Sequence, residues 1–133
     1  MNNLKFENLK HLFPDKTSVN KSGRLEINNN DISDLVNEFG SPLYIYDENT
    51  IRNVAKNYLN KFKSQYENVH VSYSSKAFSN PILSQILNEE NLGIDVVSGG
   101  ELEILIRSKF PMNEVNFHGN NKSNDELIKA VQN

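Results

Sequence analysis

In the second part of the chain, short stretches with the hydrophobic pattern of a β-strand alternate with longer stretches that have the 3.6-residue period of a helix. The stretches "VHVSYSS", "GIDVV" and "EVNFH" are short, rich in β-branched or aromatic residues, and predict β-strands near residues 71, 95 and 116. Each is followed by apolar residues at helical spacing, first after Asn80-Pro81, then in "ELEILIRS", then in "SNDELIKAVQ". Strands that alternate with helices of this length predict βαβ crossovers and a parallel sheet, so the fold class is α/β.

The first part of the chain is less regular. Residues 1–23 are polar and weakly patterned, and we predict a loose leader there. Residues 24–40 predict a short strand, "RLEI", and then a helix, "DISDLVNEFG", which together lead into the main domain at residues 41–133. That domain begins with a strand-like segment at Leu43–Tyr46. A helix then starts at Asp47, with an apolar stripe of Ile51, Val54, Tyr58, Leu59 and Phe62.

Polar residues and glycines predict how the later helices begin and end. Ser123 and Glu126 have the spacing of a capping box at the start of the last helix. Gly93 is expected to close the helix that begins at Pro81. "SGG", Ser98–Gly100, predicts a tight turn, and we do not expect a phosphate site there because barrel phosphate sites mostly follow the seventh and eighth strands.

The number of βα units predicts that the domain is incomplete. Three such units suggest the N-terminal part of a (β/α)8 barrel, which needs roughly 250 residues, whereas this chain has 133. An uncovered edge on the last parallel strand would also be a pairing hazard. We therefore expect the chain to be a fragment of a larger protein and inactive on its own.

Composition excludes several classes of function. The chain carries 14 basic and 17 acidic residues, a formal charge of −3, which gives no basic footprint for nucleic acid. It has no cysteine, and its three histidines lack metal-ligand spacing, so neither thiolate chemistry nor a metal site is expected. No segment reads as a signal peptide or a membrane span, which predicts a cytoplasmic protein.

Chemistry-bearing residues gather at one edge of the predicted sheet. Because side chains alternate along a strand, Ser72, Ser74 and Lys76 share a face, and Asp95 and His118 lie on the same face of the next two strands. Parallel α/β folds build their sites at the C-terminal ends of strands. Taken singly, Asp95 fits an ion-pair partner and His118 a hydrogen-bonded core residue. Taken together, the three favour a site, and a desolvated lysine there suits covalent chemistry with a carbonyl cofactor.

Three motifs carry a resemblance to a known family. "YSSKAFSN", "GIDVVSGGEL" and "HGNNKS", in this order, resemble diaminopimelate decarboxylases. These belong to the barrel-fold pyridoxal phosphate-dependent amino-acid decarboxylases. The likeness extends from about Gly23 to Asn133 and includes "GSPLYIYDENTIR" at the entry to the barrel.

The resemblance implies a reaction and roles for three residues. Lys76 would form the Schiff base with pyridoxal 5'-phosphate, and Asp95 and His118 match residues that line the cofactor pocket. The reaction would be decarboxylation of meso-2,6-diaminopimelate to L-lysine and carbon dioxide, the last step of lysine biosynthesis. In this family the glycine-rich phosphate loop and a C-terminal β-domain lie further along the chain. "RLEI" would join that β-domain, and the full-length enzyme would be a homodimer.

Other readings remain open on the motifs alone. A related decarboxylase could act on ornithine, arginine or carboxynorspermidine, although "HGNNKS" points to the diaminopimelate branch. A non-catalytic pyridoxal phosphate-binding barrel protein is a further alternative, and "RLEINNN" argues mildly against it because such proteins usually lack the β-domain and its leading strand. The plainest alternative is an isolated α/β domain that binds no cofactor.

Overall fold

A computed structural model describes residues 3–133, with side chains from Phe6 onward. The chain divides into two compact units, and the boundary along the sequence falls between Asn53 and Val54. The helices are α1 (Asn3–Leu9), α2 (Ile32–Phe39), α3 (Glu48–Lys63), α4 (Pro81–Glu89), α5 (Gly99–Arg107) and α6 (Asn124–Gln132). The strands are β1 (Thr17–Val19), β2 (Leu25–Ile27), β3 (Asn30–Asp31), β4 (Ser72–Ser74), β5 (Gly93–Val96) and β6 (Val115–Phe117).

The first unit contains a small antiparallel sheet in the order β1-β2-β3. The predicted strand in "RLEI" is confirmed as β2, and its residue Ile27 pairs with Thr17 of β1. The predicted loose leader is wrong for residues 3–23, which hold α1, a 3-10 turn and β1. An apolar contact helps to hold this segment in a regular structure: Phe6 is buried, and the centroid of its ring lies 5.7 Å from that of Phe13. Met1 and Asn2 lie outside the described residues.

Helix α2 is confirmed, with both of its predicted ends. The Asp31 carboxylate accepts a hydrogen bond from the Ser33 amide at 2.8 Å and caps the first turn. Gly40, with φ of 84°, ends the helix, and its amide donates to the Val36 carbonyl at 2.8 Å. A side chain at this φ would be strained, which is why glycine suits the position.

The predicted strand at Leu43–Tyr46 is wrong. The segment has no regular secondary structure and pairs with no strand in the described part of the chain. An alternating apolar pattern predicts an extended backbone, whereas a strand also needs a neighbour for its amides and carbonyls. The predicted helix start at Asp47 is confirmed, because its carboxylate accepts from the Thr50 amide at 2.9 Å and from the Thr50 hydroxyl at 2.6 Å.

Only some of the residues predicted for the apolar stripe of α3 are buried. Leu59 is buried as expected, together with Ala55 one turn earlier. Val54, Tyr58 and Phe62 are 48%, 59% and 48% exposed. The packed stripe therefore contains the smaller residue Ala55, and the larger side chains lie on the neighbouring face of the helix.

The second unit is built on the parallel sheet that the sequence predicts. Its strand order is β4-β5-β6, with all pairs parallel, so each strand is followed by a helix that returns the chain to the start of the next. Ile94 and Val96 of β5 are almost fully buried, whereas Asp95 between them is partly exposed. The predicted split of β5 into an apolar and a polar face is confirmed, and three βα units establish the α/β class.

The core of this unit is aliphatic. It contains buried side chains of α4 and α5, two helices that contact each other, and α4 also contacts β5: Leu83, Ile86, Leu87, Leu102 and Leu105. Burial of each such side chain stabilises the fold by roughly 1.5–3 kcal/mol. Ile82, predicted to belong to the same face of α4, is 68% exposed instead.

Helices α4 and α5 end in the same way, without glycine. Asn91 and Lys109 adopt positive φ values of 59° and 56° directly after the two helices. The next residue, Leu92 or Phe110, is buried, and its amide donates to a carbonyl five residues earlier at 3.0 Å. The expectation that Gly93 closes α4 is therefore wrong, since Gly93 is the first residue of β5.

Two findings bear on the wider organisation. The boundary between the compact units falls within α3, whereas the sequence predicts boundaries after residues 23 and 40, and those domain boundaries stay predictions.

In the part of the chain that the structure describes, no helix has the length and apolar character required to cross a bilayer.

Gly93 is predicted to be intolerant of a side chain. A Cβ at this position would lie 2.7 Å from the Glu114 carbonyl oxygen and 2.4 Å from His70 Nε2. The histidine ring can move, but the backbone carbonyl is held beside β6. We expect Gly93→Ala to lower the free energy of unfolding by about 1–3 kcal/mol, measured by urea denaturation.

Gly100→Ala is the matched control for this substitution. Its Cβ would meet only Ser98 Oγ, at 3.9 Å, inside helix α5. Alanine there should be neutral or stabilising by up to about 1 kcal/mol. Equal effects of the two substitutions would contradict the close approach at Gly93.

Candidate functional site at the C-terminal ends of the parallel strands

Lys76 lies immediately after the first parallel strand. The chain leaves β4 at Ser74 and forms a 3-10 turn, Ser75–Ala77, so strand alternation does not apply at Lys76 itself. The side chain is exposed, and within residues 3–133 it makes no hydrogen bond and no ion pair. The turn therefore presents a free amine at the strand end where the sequence analysis expects one.

The polar face of the sheet is held together by amide and carboxylate groups. Asp95 pairs in register with Asn116 on β6 and with Ser74 on β4. Asn116 Nδ2 donates to Asp95 Oδ1 at 3.0 Å and lies 3.4 Å from Ser72 Oγ. Three neighbouring strands thus contribute polar groups to one face, as predicted, and Asn116 fixes the orientation of the Asp95 carboxylate.

His118 lies one residue beyond β6. Its backbone amide donates to the Val96 carbonyl at 3.0 Å, which continues the strand pairing, and its side chain is exposed. Lys76, Asp95 and His118 therefore all lie at or near the C-terminal ends of adjacent strands. No hydrogen bond or ion pair joins their side chains within the described residues, so their shared role stays a prediction.

Sequence reasoning missed two residues beside Lys76. Ser75 is buried, and its hydroxyl lies 2.5 Å from Glu101 Oε2 and 2.9 Å from the Asp95 carbonyl oxygen. The same Glu101 oxygen accepts from the Val97 amide at 2.8 Å. Glu101 thus joins the turn that holds Lys76 to the loop after β5. The spacing of Ser98 and Glu101 matches that of Ser123 and Glu126, and this signal could have found Glu101.

The start of α5 is occupied by protein groups. Ser98 caps the helix and accepts from the Glu101 amide at 3.3 Å, so Gly99 and Gly100 are helical and the predicted tight turn at "SGG" is wrong. The Gly99 amide donates to Glu126 Oε1 at 2.7 Å, and a Cβ on Gly99 would lie 2.9 Å from Glu126 Cγ. The Gly99 amide, which could otherwise bind a phosphate at this helix start, is therefore already bonded to the Glu126 carboxylate.

Glu126 plays a second part at the start of α6. It forms the predicted capping box with Ser123, whose amide donates to Glu126 Oε2 at 2.9 Å. The hydrogen bonds from the Ser123 and Gly99 amides hold the pKa of the Glu126 carboxyl below its ordinary value. The ionised carboxylate therefore links the second βα unit to the third.

Nothing in the described residues suggests a metal centre, since no group of three or more histidine, aspartate or glutamate side chains lies together there. In the loop after β6, the Lys122 ammonium lies 4.7 Å from the Phe117 ring centroid and 2.5 Å from the Gly119 carbonyl oxygen. This contact folds the "GNNK" loop back onto β6.

The fold and this strand-end lysine define a class of α/β barrel proteins, and comparison with known proteins gives the family. Residues 51–133 match the family described as pyridoxal-dependent decarboxylase, pyridoxal binding domain. The chain belongs to this family.

Individual relatives narrow the similarity. The chain is 43% identical over 120 residues to diaminopimelate decarboxylase of Bacillus methanolicus and 44% identical over 113 residues to that of Bacillus subtilis (strain 168). These matches cover 90% and 85% of this chain but 28% and 26% of the relatives. The chain thus spans about a quarter of the length of these relatives.

Solved structures support the same fold. Diaminopimelate decarboxylase from M. jannaschii, in co-complex with L-lysine, superimposes with a TM-score of 0.76 at 30% identity, over 89% of this chain and 28% of that one. A lysine/ornithine decarboxylase from Vibrio vulnificus, at 23% identity and a TM-score of 0.63, shares the fold. The predicted fold, the N-terminal part of a decarboxylase barrel, is confirmed.

We expect Glu126→Gln to make stability less dependent on acid pH. The native carboxyl has a lowered pKa, so the unfolded chain binds a proton first as the pH falls. Wild type should be more stable than the variant above the ordinary glutamate pKa of 4.5, and this advantage should disappear as the pH falls through the lower native value. Urea unfolding between pH 7 and pH 3 measures both.

Asp125→Asn is the control, because Asp125 is exposed in the same first turn and makes no hydrogen bond within the described residues. This variant keeps the Glu126 carboxylate, so its stability should depend on pH about as strongly as that of wild type. If Glu126→Gln lost no stability at pH 7, the capping carboxylate would not stabilise the junction.

Proposed function

We propose that the full-length protein containing this chain is a pyridoxal 5'-phosphate-dependent decarboxylase that converts meso-2,6-diaminopimelate to L-lysine and carbon dioxide. The observation that carries the proposal is the free, exposed amine of Lys76 at a strand end, inside a domain of the pyridoxal-binding family. Similarity to diaminopimelate decarboxylases at 43% and 44% identity supports the choice of substrate.

The residues present fit this cofactor. An aldehyde cofactor needs an amine that is not engaged in an ion pair, and Lys76 is such an amine among the described side chains. It also needs a polar surface beside that amine, which Ser72, Asp95 and Asn116 provide. Lys76 would hold the cofactor, with Asp95 and His118 lining its pocket. When bound, the pyridine ring supplies a sink for the electrons left by carbon dioxide.

The chain's own groups have separate tasks in this scheme. The Lys76 amine would hold the cofactor, and its Nζ would be placed to carry a proton during the reaction. Asp95, oriented by Asn116, would place its carboxyl group beside the cofactor on the polar face of the sheet. The buried aliphatic face of β5 holds the C-terminal ends of β4 and β5, which carry Lys76 and Asp95, in place. Groups that would bind the cofactor's phosphate and the substrate's carboxylates are assigned to the remainder of the enzyme.

Assembly and location follow from the same resemblance. We infer that the full-length protein is a homodimer in the cytoplasm, as the similarity to this enzyme family suggests. Light scattering on the full-length protein measures the first point, and a mass of one subunit would contradict it.

Carbon dioxide release from the full-length protein tests the proposal. With pyridoxal phosphate present, we expect release from meso-diaminopimelate and little from ornithine or arginine. Lys76→Ala should lower the rate by more than about a hundredfold, because it removes both the cofactor's anchor and a proton carrier. Lys61→Ala, at an exposed position on α3, is the matched control and should leave the rate unchanged.

Two results would overturn the proposal. Preferred release from ornithine, arginine or carboxynorspermidine would assign the protein to a different branch of the family. Cofactor binding without release from any of these amino acids would indicate a non-catalytic barrel protein.

A further inference from the structure

The turn that carries Lys76 is anchored through the residue before it. Among Ser75, Lys76 and Ala77, only Ser75 is buried, at 4% exposure, while the other two are exposed. The position of the Lys76 backbone therefore depends on what holds Ser75. Within the described residues, the Ser75 side chain makes two hydrogen bonds, one with the Glu101 carboxylate and one with the Asp95 carbonyl.

The two acceptors are not equivalent. A serine hydroxyl carries one proton, so it donates fully to one acceptor at a time. The contact with Glu101 Oε2 is 2.5 Å and the contact with the Asp95 carbonyl oxygen is 2.9 Å. A carboxylate is also the stronger acceptor. Glu101 is therefore the main partner, and the Asp95 carbonyl is the second.

Glu101 is itself held from two sides. Its Oε2 accepts from the Val97 amide at 2.8 Å, and its own amide donates to Ser98 Oγ at 3.3 Å. This carboxylate thus has a fixed position at the start of α5, and it transmits that position to Ser75. The Lys76 turn is tied both to β5, through the Asp95 carbonyl, and to α5, through Glu101.

We propose that Ser75 is a positioning residue for Lys76, and that its hydrogen bond to the Glu101 carboxylate fixes the 3-10 turn in the geometry from which the Lys76 amine reaches the cofactor. This inference rests on the proposed function, because it takes Lys76 as the cofactor-binding lysine. It adds Ser75 and Glu101 to the site as residues that act through the position of Lys76.

The test measures how fast Lys76 captures the cofactor, independently of turnover. The full-length protein without cofactor is mixed with pyridoxal phosphate, and borohydride is added at set times. Condensation of the amine with the aldehyde releases water, and reduction fixes the cofactor on the lysine as a secondary amine. Peptide mapping then gives the tagged fraction at Lys76 against time. We expect Ser75→Ala to slow tagging about tenfold, because it removes a hydrogen bond to a charged group.

Glu101 variants separate positioning from folding. Glu101→Gln keeps an oxygen that can accept from both Ser75 and Val97, so it should tag within about threefold of wild type. Glu101→Ala loses both contacts and should slow tagging at least as much as Ser75→Ala. The double variant Ser75→Ala/Glu101→Ala should be no slower than the slower single variant, since both changes remove the same hydrogen bond.

Glu103→Ala is the matched control on α5. Its carboxylate pairs with Arg107 and Lys129 and makes no contact with the Lys76 turn. Its tagging rate should equal that of wild type, and thermal unfolding of every variant checks that each remains folded.

The outcomes distinguish this inference from the proposed function. If wild type is not tagged at Lys76, the proposed function itself fails. If wild type is tagged and Ser75→Ala is tagged at the same rate, the positioning role is wrong. Multiplicative effects in the double variant would also overturn it, because Ser75 and Glu101 would then act separately.

Discussion

The parallel pairing of β4, β5 and β6 is the constraint on which the rest of the second unit depends. Parallel register brings three strand ends to one edge, so residues far apart in sequence become neighbours there. The pairing is possible because Ile94 and Val96 bury one face of β5 beneath its helices, which leaves Asp95 on the other. The separation of an apolar face from a polar face is thus what creates the candidate site.

Carboxylates at the third position of two helices join successive βα units. Glu101 of α5 reaches back to Ser75, before β5, and Glu126 of α6 reaches back to Gly99, at the start of α5. Each also bonds an amide beside its own helix start, so one side chain serves as both cap and link. The repeated device fixes the loops at the strand ends, and in the first case it determines the position of the turn that carries Lys76.

Much of this arrangement was predictable from local sequence, and the exceptions have physical causes. The starts of α4 and α6 were identified from Asn80-Pro81 and Ser123, because capping is a local property. After α4 the residue at positive φ is Asn91 rather than a glycine, which is possible because asparagine tolerates positive φ. Leu43–Tyr46 has strand-like alternation, but pairing depends on a neighbour that a local pattern cannot reveal. Strand alternation located the face that carries Asp95, whereas the burial of Ser75 and its bond to Glu101 are tertiary facts.

The central claim is that Lys76 is the amine that holds the cofactor at this strand edge. A crystal structure of the full-length protein with pyridoxal phosphate tests it most directly. We expect continuous electron density from Lys76 Nζ to the cofactor, with Asp95 and His118 beside the bound ring. Cofactor density elsewhere, with a free Lys76 side chain in solvent, would contradict it.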